Sequence, residues 1–102
     1  MKIETDTTAD ESLVKVEGDV DLYSSPKLRK AVLEAVKKSV TGAGVDLGAV
    51  SYMDSSGVAT LVEGLRSAKE HGKTFFLIAP SPAVSKVLEL ARLDSIFEVR
   101  AA

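Results

Sequence analysis

The sequence predicts an α/β fold, a small mixed and mainly parallel sheet of four or five strands with three helices. Three observations carry this. From residue 13 onward, β-rich segments alternate with segments of helical spacing in the order strand, helix, strand, helix, strand, helix, strand. A further alternating segment leads the chain and is placed to form a hairpin with the next. Each helical segment also opens on Ser or Asp, twice followed by Pro. The right-handed crossover rule turns that order into parallel strands behind one leading antiparallel strand.

Ile3, Thr5 and Thr7 alternate with polar residues, as do Val14 and Val16 around Lys15, so Ala9-Asp10-Glu11-Ser12 reads as the turn between two strands. Ser25-Pro26 supplies an N-cap and a proline for the first helical position, and Leu28, Ala31, Val32, Ala35 and Val36 keep helical spacing to about Val40. Gly42-Ala43-Gly44 is expected to close that helix, leaving Val45-Asp46-Leu47 as a short strand. The second helix starts near Ser56, after Asp54-Ser55, with Val58, Leu61, Val62, Leu65 and Ala68 inward and Glu63, Arg66, Lys69 and Glu70 outward. His71-Gly72-Lys73 ends it, placing a glycine after basic side chains that suit the negative end of the helix dipole. Thr74 to Ile78 has the apolar run of a strand buried on both faces. Ser81-Pro82 then starts a third helix with Val84, Val87, Leu88 and Ala91 inward, and Ile96 to Val99 is the last strand.

The 102 residues, 45% hydrophobic and 27% charged, are the make-up of one globular domain spanning 1–102. The absence of cysteine excludes disulfides, thiolate metal sites and a cysteine nucleophile. The longest apolar run, Phe75 to Ala79, falls far short of the ~20 residues a membrane helix requires, so no membrane insertion is expected. Met1 to Asp6 has no apolar segment of the secretory kind, which makes the cytoplasm the expected location. Charge is uneven: residues 1–21 hold two lysines against seven acidic residues, whereas residues 26–38 hold five basic residues against Glu34. That pattern suits a solvated helix beside an acidic strand, or the steering of a partner. Five Phe and Tyr residues with no arginine-rich stripe are too few for a base-stacking platform, so no direct nucleic-acid partner is expected.

Enzyme signatures are sparse. The single histidine, His71, sits in the last turn of a helix, where a solvated role suits the dipole. Asp19 and Asp21 are two apart and suit local backbone acceptors or a cap for the next helix, the cap being the favoured reading. A small hydrolase using Asp19, Asp21 and Asp54 with a divalent metal is a weaker alternative, because no base to activate a nucleophile is in sight. The glycines follow neither the dinucleotide fingerprint nor the phosphate loop. No enzyme activity, cofactor or metal is expected.

What remains is Val50 to Val58, between the carboxyl end of a strand and the first turn of a helix, the place where open α/β sheets meet their ligands and partners. Asp54-Ser55-Ser56-Gly57 has the composition of a plain N-cap and first turn. Taken alone, the tetrapeptide favours that plain cap; its chemistry also permits an accessible phospho-acceptor, since two hydroxyls beside an uncovered glycine meet the free N–H groups of a helix start.

Asp54-Ser55-Ser56-Gly57-Val58 after Tyr52-Met53, with Gly18-Asp19-Val20-Asp21 upstream and Ser81-Pro82-Ala83-Val84 downstream, resembles the STAS domain of bacterial anti-sigma factor antagonists over nearly the whole chain. The resemblance implies helices packed on one side of the sheet. It also implies phosphorylation of Ser55, with Ser56 as the alternative, by a partner that is both a serine kinase and an anti-sigma factor. A metal-dependent serine/threonine phosphatase would reset the switch. Asp21, Tyr23, Asp54, Ser56, Gly57 and Val58 are the expected partner-binding residues around the hydroxyl, Val58 and Tyr23 supplying apolar contact. Residues 41–44 depart from the family's longer apolar entry, which implies a third strand that begins late or is frayed. Similar single STAS domains also serve as cytoplasmic subunits of lipid-transporting ABC permeases, and that is the alternative function.

Overall fold

The computed structural model describes residues 1–8 and 10–102, so Ala9 of the expected turn lies outside the described residues. β1 (Lys2–Thr7) and β2 (Glu11–Val20) pair antiparallel. They are followed by α1 (Ser25–Lys38), β3 (Gly42–Met53), α2 (Ser55–Glu70), β4 (Thr74–Ile78), α3 (Pro82–Leu90) and β5 (Glu98–Arg100). The strands lie side by side in the order β1-β2-β3-β4-β5, the last four parallel. Every crossover steps the same way across the sheet, so right-handed connections put all three helices on one face. The core lies between that face and the helices, where Val14, Val45 and Leu77 meet Leu28, Leu61 and Val84, all six withdrawn from solvent. No helix among the described residues is long and apolar enough to cross a membrane.

The third strand departs most from expectation. Gly42-Ala43-Gly44 does not close α1 but begins β3, which at 12 residues is the longest strand and does not start late. The glycines serve close approach instead: a Cβ on Gly44 would lie 2.2 Å from Cε2 of Phe76, whose ring needs that space. The Arg100 guanidinium stacks 3.6 Å from the centroid of the same ring. α1 ends by other means. The Ser39 hydroxyl donates to the Val36 carbonyl at 2.8 Å, and Lys73 Nζ donates to the carbonyls of Val36 and Lys37 at 2.8 and 3.2 Å.

β3 also gains a residue on β2 twice. Lys15 faces Asp46 but Glu17 faces Ala49, and Gly18 faces Val50 but Asp19 faces Tyr52. These two bulges break the period-two pattern, so that Val45, Leu47, Val50 and Met53 all face the helices while Ser51 and Tyr52 turn outward. The strand therefore runs on to Met53, directly into the start of α2.

Smaller corrections follow from packing. Glu11 and Ser12 belong to β2 rather than to the turn. Ser24, not Ser25, is the N-cap of α1, and Ser25 is buried in its first turn. On α2 the buried stripe is Gly57, Val58, Thr60, Leu61, Gly64 and Ala68. Val62 and Leu65 are only half-buried, on the wall of a surface groove shared with Arg66, Lys69 and Glu70. Ala91 caps the end of α3 and is exposed, because the helix stops at Leu90 before another inward position is reached. In the last segment Ile96 precedes the strand and is 43% exposed, while Phe97 turns in to pack its ring 6.3 Å from that of Phe75.

Candidate functional site: the first turn of α2

β2 and β3 are parallel neighbours, so the turns leading into α1 and α2 emerge side by side from their carboxyl ends. They are joined directly: the Asp54 N–H donates to the Val20 carbonyl at 3.1 Å. In the first of these turns, Asp21 Oδ1 accepts the N–H groups of Tyr23 and Ser24 at 2.9 and 3.0 Å. The Ser24 hydroxyl in return accepts the Asp21 N–H at 2.9 Å. Asp21 is not the cap of α1, which is Ser24; its carboxylate instead bonds local backbone and fixes the turn. No side-chain hydrogen bond engages the Asp19 carboxylate among the described residues, and Asp19 is exposed.

In the second turn Asp54 is the N-cap, with extended backbone and a carboxylate folded back over the helix start. Its Oδ1 accepts from Ser56 N at 2.9 Å, from Ser56 Oγ at 2.5 Å and from Gly57 N at 3.4 Å. The Ser56 hydroxyl bond, foremost, together with the backbone N–H groups, holds the Asp54 carboxyl below its ordinary value of 3.8, against a partial opposing effect of desolvation. The carboxylate is therefore ionised throughout the neutral range.

Ser55 occupies the first helical position, is exposed, and makes no side-chain hydrogen bond among the described residues. Ser56 is half-buried with its hydroxyl committed to Asp54. Beneath them the helix is pressed onto the sheet: a Cβ on Gly57 would come within 2.7 Å of Met53 Cγ and 2.9 Å of Val20 Cγ1. Val58 is 6% exposed and belongs to the core. Gly57 and Val58 thus seat the first turn from below, and Val58 does not offer apolar surface as expected, because its side chain falls on the buried stripe of α2. Tyr23, by contrast, is 91% exposed.

Two neighbours were not read from the sequence. Leu22 is 69% exposed beside Tyr23, and Tyr52 is 51% exposed two residues before Asp54. Leu22-Tyr23 carried a signal, two large apolar residues in a turn otherwise made of Asp and Ser. Tyr52 carried none, because its outward direction is set by the bulges in β3.

The same geometry bears on the metal-hydrolase alternative. Among the described residues no group of three His, Asp or Glu side chains is placed to hold a metal ion. Asp21 and Asp54 each direct an oxygen at backbone N–H groups.

Comparison with known proteins agrees with this architecture. The anti-sigma-B factor antagonists of Staphylococcus epidermidis and Staphylococcus aureus strain NCTC 8325 are each 28% identical over 99 residues, covering 97% of this chain and 92% of theirs. The crystal structure of an anti-sigma factor antagonist from Mycobacterium paratuberculosis superposes with a TM-score of 0.85 at 25% identity, covering 97% of this chain and 84% of that one. SpoIIAA of Bacillus in its phosphorylated form gives a TM-score of 0.78 at 22% identity, covering 99% of this chain and 91% of that one, and shares the fold. Residues 3–99 match the family model described as "Mlab, STAS domain", and the chain belongs to the STAS-domain family.

Proposed function

We propose that the chain is an anti-sigma factor antagonist, a phosphorylation-controlled binding module that acts in the cytoplasm and is not itself an enzyme. Unphosphorylated, it captures a serine-kinase anti-sigma factor and so frees the sigma factor. Phosphorylated on Ser55 by that kinase, it lets go, and a serine/threonine phosphatase returns it to the binding form. The observation that carries this reading is the exposed, uncommitted Ser55 hydroxyl on the first turn of α2, next to the ionised Asp54 and the exposed Leu22 and Tyr23. The names of the staphylococcal relatives, which align over 97% of this chain, support it.

Leu22, Tyr23 and Tyr52 supply apolar contact, and Asp21 and Asp54 give the rim its negative charge. A phosphate adds a charge of about −1.5 to −2 to that rim. In a complex closed over Ser55 it would have to shed water beside carboxylates, with no cation among the described residues bonded there to receive it. Binding and release are thereby set by one covalent group on a rigid helix start.

The second reading is a cytoplasmic subunit of a lipid-transporting permease, and the matched family description does not name a sigma-factor regulator. Incubation with the serine-kinase anti-sigma factor and ATP separates the two. The expected result is one added phosphate, mapped to Ser55 and absent from Ser55→Ala. No binding to such a kinase, with stable capture of a permease and its ATPase instead, would replace the first reading by the second.

A further inference from the structure

Five serines stand at the helix starts, and four are withdrawn from chemistry. Ser24 accepts the Asp21 N–H. Ser25 is 6% exposed, and Ser81 is 7% exposed with its hydroxyl accepting the Val84 N–H at 3.3 Å. Ser56 donates to Asp54 Oδ1 at 2.5 Å. Ser55 and Ser56 are adjacent and chemically identical, so a kinase that reaches one reaches the neighbourhood of the other. The difference between them lies in Asp54.

We propose that Asp54 is the positioning residue that directs phosphoryl transfer to Ser55, by engaging the Ser56 hydroxyl and by making a phosphate there incompatible with the cap. The inference rests on the reading of Ser55 as a phospho-acceptor. In the transfer, Ser55 Oγ forms a bond to the γ-phosphorus of ATP as the bond from that phosphorus to the bridging oxygen breaks. ADP leaves, and the hydroxyl proton passes to a base of the kinase. At Ser56 the same step requires the hydroxyl to abandon Asp54. The product would then set a phosphate where the donated proton had been, against a carboxylate that already accepts two backbone N–H groups. A carboxylate bonded to a serine hydroxyl often serves as its general base. Here its lone pairs are shared with the N–H groups of Ser56 and Gly57, which makes it a poor proton acceptor. Ser55 has no such neighbour on its hydroxyl and meets solvent.

Two measurements test this, one with the kinase and one without. With the serine-kinase anti-sigma factor and ATP, phosphopeptide mapping of the wild type should give Ser55 at least tenfold over Ser56. Asp54→Ala should lower that ratio at least tenfold, with Asp54→Asn, which keeps an acceptor oxygen, in between. A phosphate should also appear on Ser56 in the Ser55→Ala/Asp54→Ala chain but not in Ser55→Ala. An unchanged ratio in Asp54→Ala, or an Asp54→Ala chain that takes no phosphate at either serine, overturns the proposal. Without the kinase, phosphoserine is placed at 55 or at 56 during synthesis and each chain is melted. Phosphoserine at 56 should lower Tm by several degrees, and Asp54→Ala should remove most of that loss, while phosphoserine at 55 melts like the wild type. Phosphoserine at 56 melting like the wild type with Asp54 present overturns the proposal. A wild type that takes no phosphate from the kinase instead counts against Ser55 as an acceptor, and the melts then still read the Asp54 effect.

Discussion

The backbone N–H of Asp54 donates to the carbonyl of Val20 across 3.1 Å, locking the turn that carries Leu22 and Tyr23 to the turn that carries Ser55. One hydrogen bond between parallel strand ends thus makes a single surface from residues some thirty positions apart in the chain. Its apolar part stands out from the fold: Tyr23 is 91% and Leu22 69% exposed. Replacing either with Ala should leave the melting temperature within a degree or two of wild type, since neither touches the core. Binding to the anti-sigma factor should weaken by about tenfold or more, as removal of an exposed aromatic or aliphatic anchor does. Thermal melts beside calorimetric titrations check both halves.

The core prediction concerns the inner face of α2. Leu61 is withdrawn from solvent, so Leu61→Ala should cost about 2–5 kcal/mol in urea unfolding, the range for a large buried deletion. Leu65 borders a surface groove and should cost clearly less when cut to Ala. Equal losses at the two positions would mean that the face is turned relative to the one described.

Gly57 is the seat of the site. A methyl group there meets Met53 Cγ and Val20 Cγ1 at under 3.0 Å, so either those side chains or the helix start must shift. Gly57→Ala is expected to lose about 1–3 kcal/mol, the usual cost of overpacking. Since Val20 and Met53 both underlie the two turns, it should also weaken partner binding. Denaturant unfolding and titration measure these in the same preparation.

The Asp54 cap gives the helix start a pH dependence with a definite sign. Its carboxyl titrates below 3.8 in the folded chain because the Ser56 hydroxyl and the N–H groups of Ser56 and Gly57 favour the charged form. A depressed folded value means that the cap's contribution is fully present above the unfolded value, near 4, and is lost as pH falls through the lower folded one. Ser56→Ala removes the first of these causes and should raise the Asp54 titration toward its ordinary position. Carboxyl carbon shifts followed by NMR across pH 2–6 report it, and an Asp54 that titrates unchanged in Ser56→Ala would show that the hydroxyl bond is not the cause.

Much of this was legible beforehand because the local signals agreed with the global fold. Ser81-Pro82, the Leu28-to-Val36 spacing and the apolar run Thr74–Ile78 each matched the element that formed. The third strand was read as short for a physical reason. Gly44 admits the Phe76 ring and Gly42 the close approach of Thr74, and two bulges erase the alternation by which a strand is recognised. The helical spacing puts Val58 on the inward face, and the structure agrees; the partner contact that the resemblance implies for it conflicts with that spacing, because Gly57 lets the first turn press onto Met53. The Ser56–Asp54 bond follows from a backbone conformation that composition does not specify.

The switch itself is tested most directly by titrating the serine-kinase anti-sigma factor with the wild type, its Ser55-phosphorylated form, Ser55→Asp and Ser55→Ala, each melted in parallel. The phosphate sits at the positive end of the α2 dipole, so the phosphorylated chain should melt at or slightly above the wild type. Its affinity should fall by about a hundredfold, the equivalent of ~3 kcal/mol. Ser55→Asp should bind weakly while folding normally, and Ser55→Ala should bind like the wild type and not be released by ATP. Equal affinity of the wild type, the phosphorylated chain and Ser55→Asp would contradict the switch and leave a constitutive binding subunit in its place.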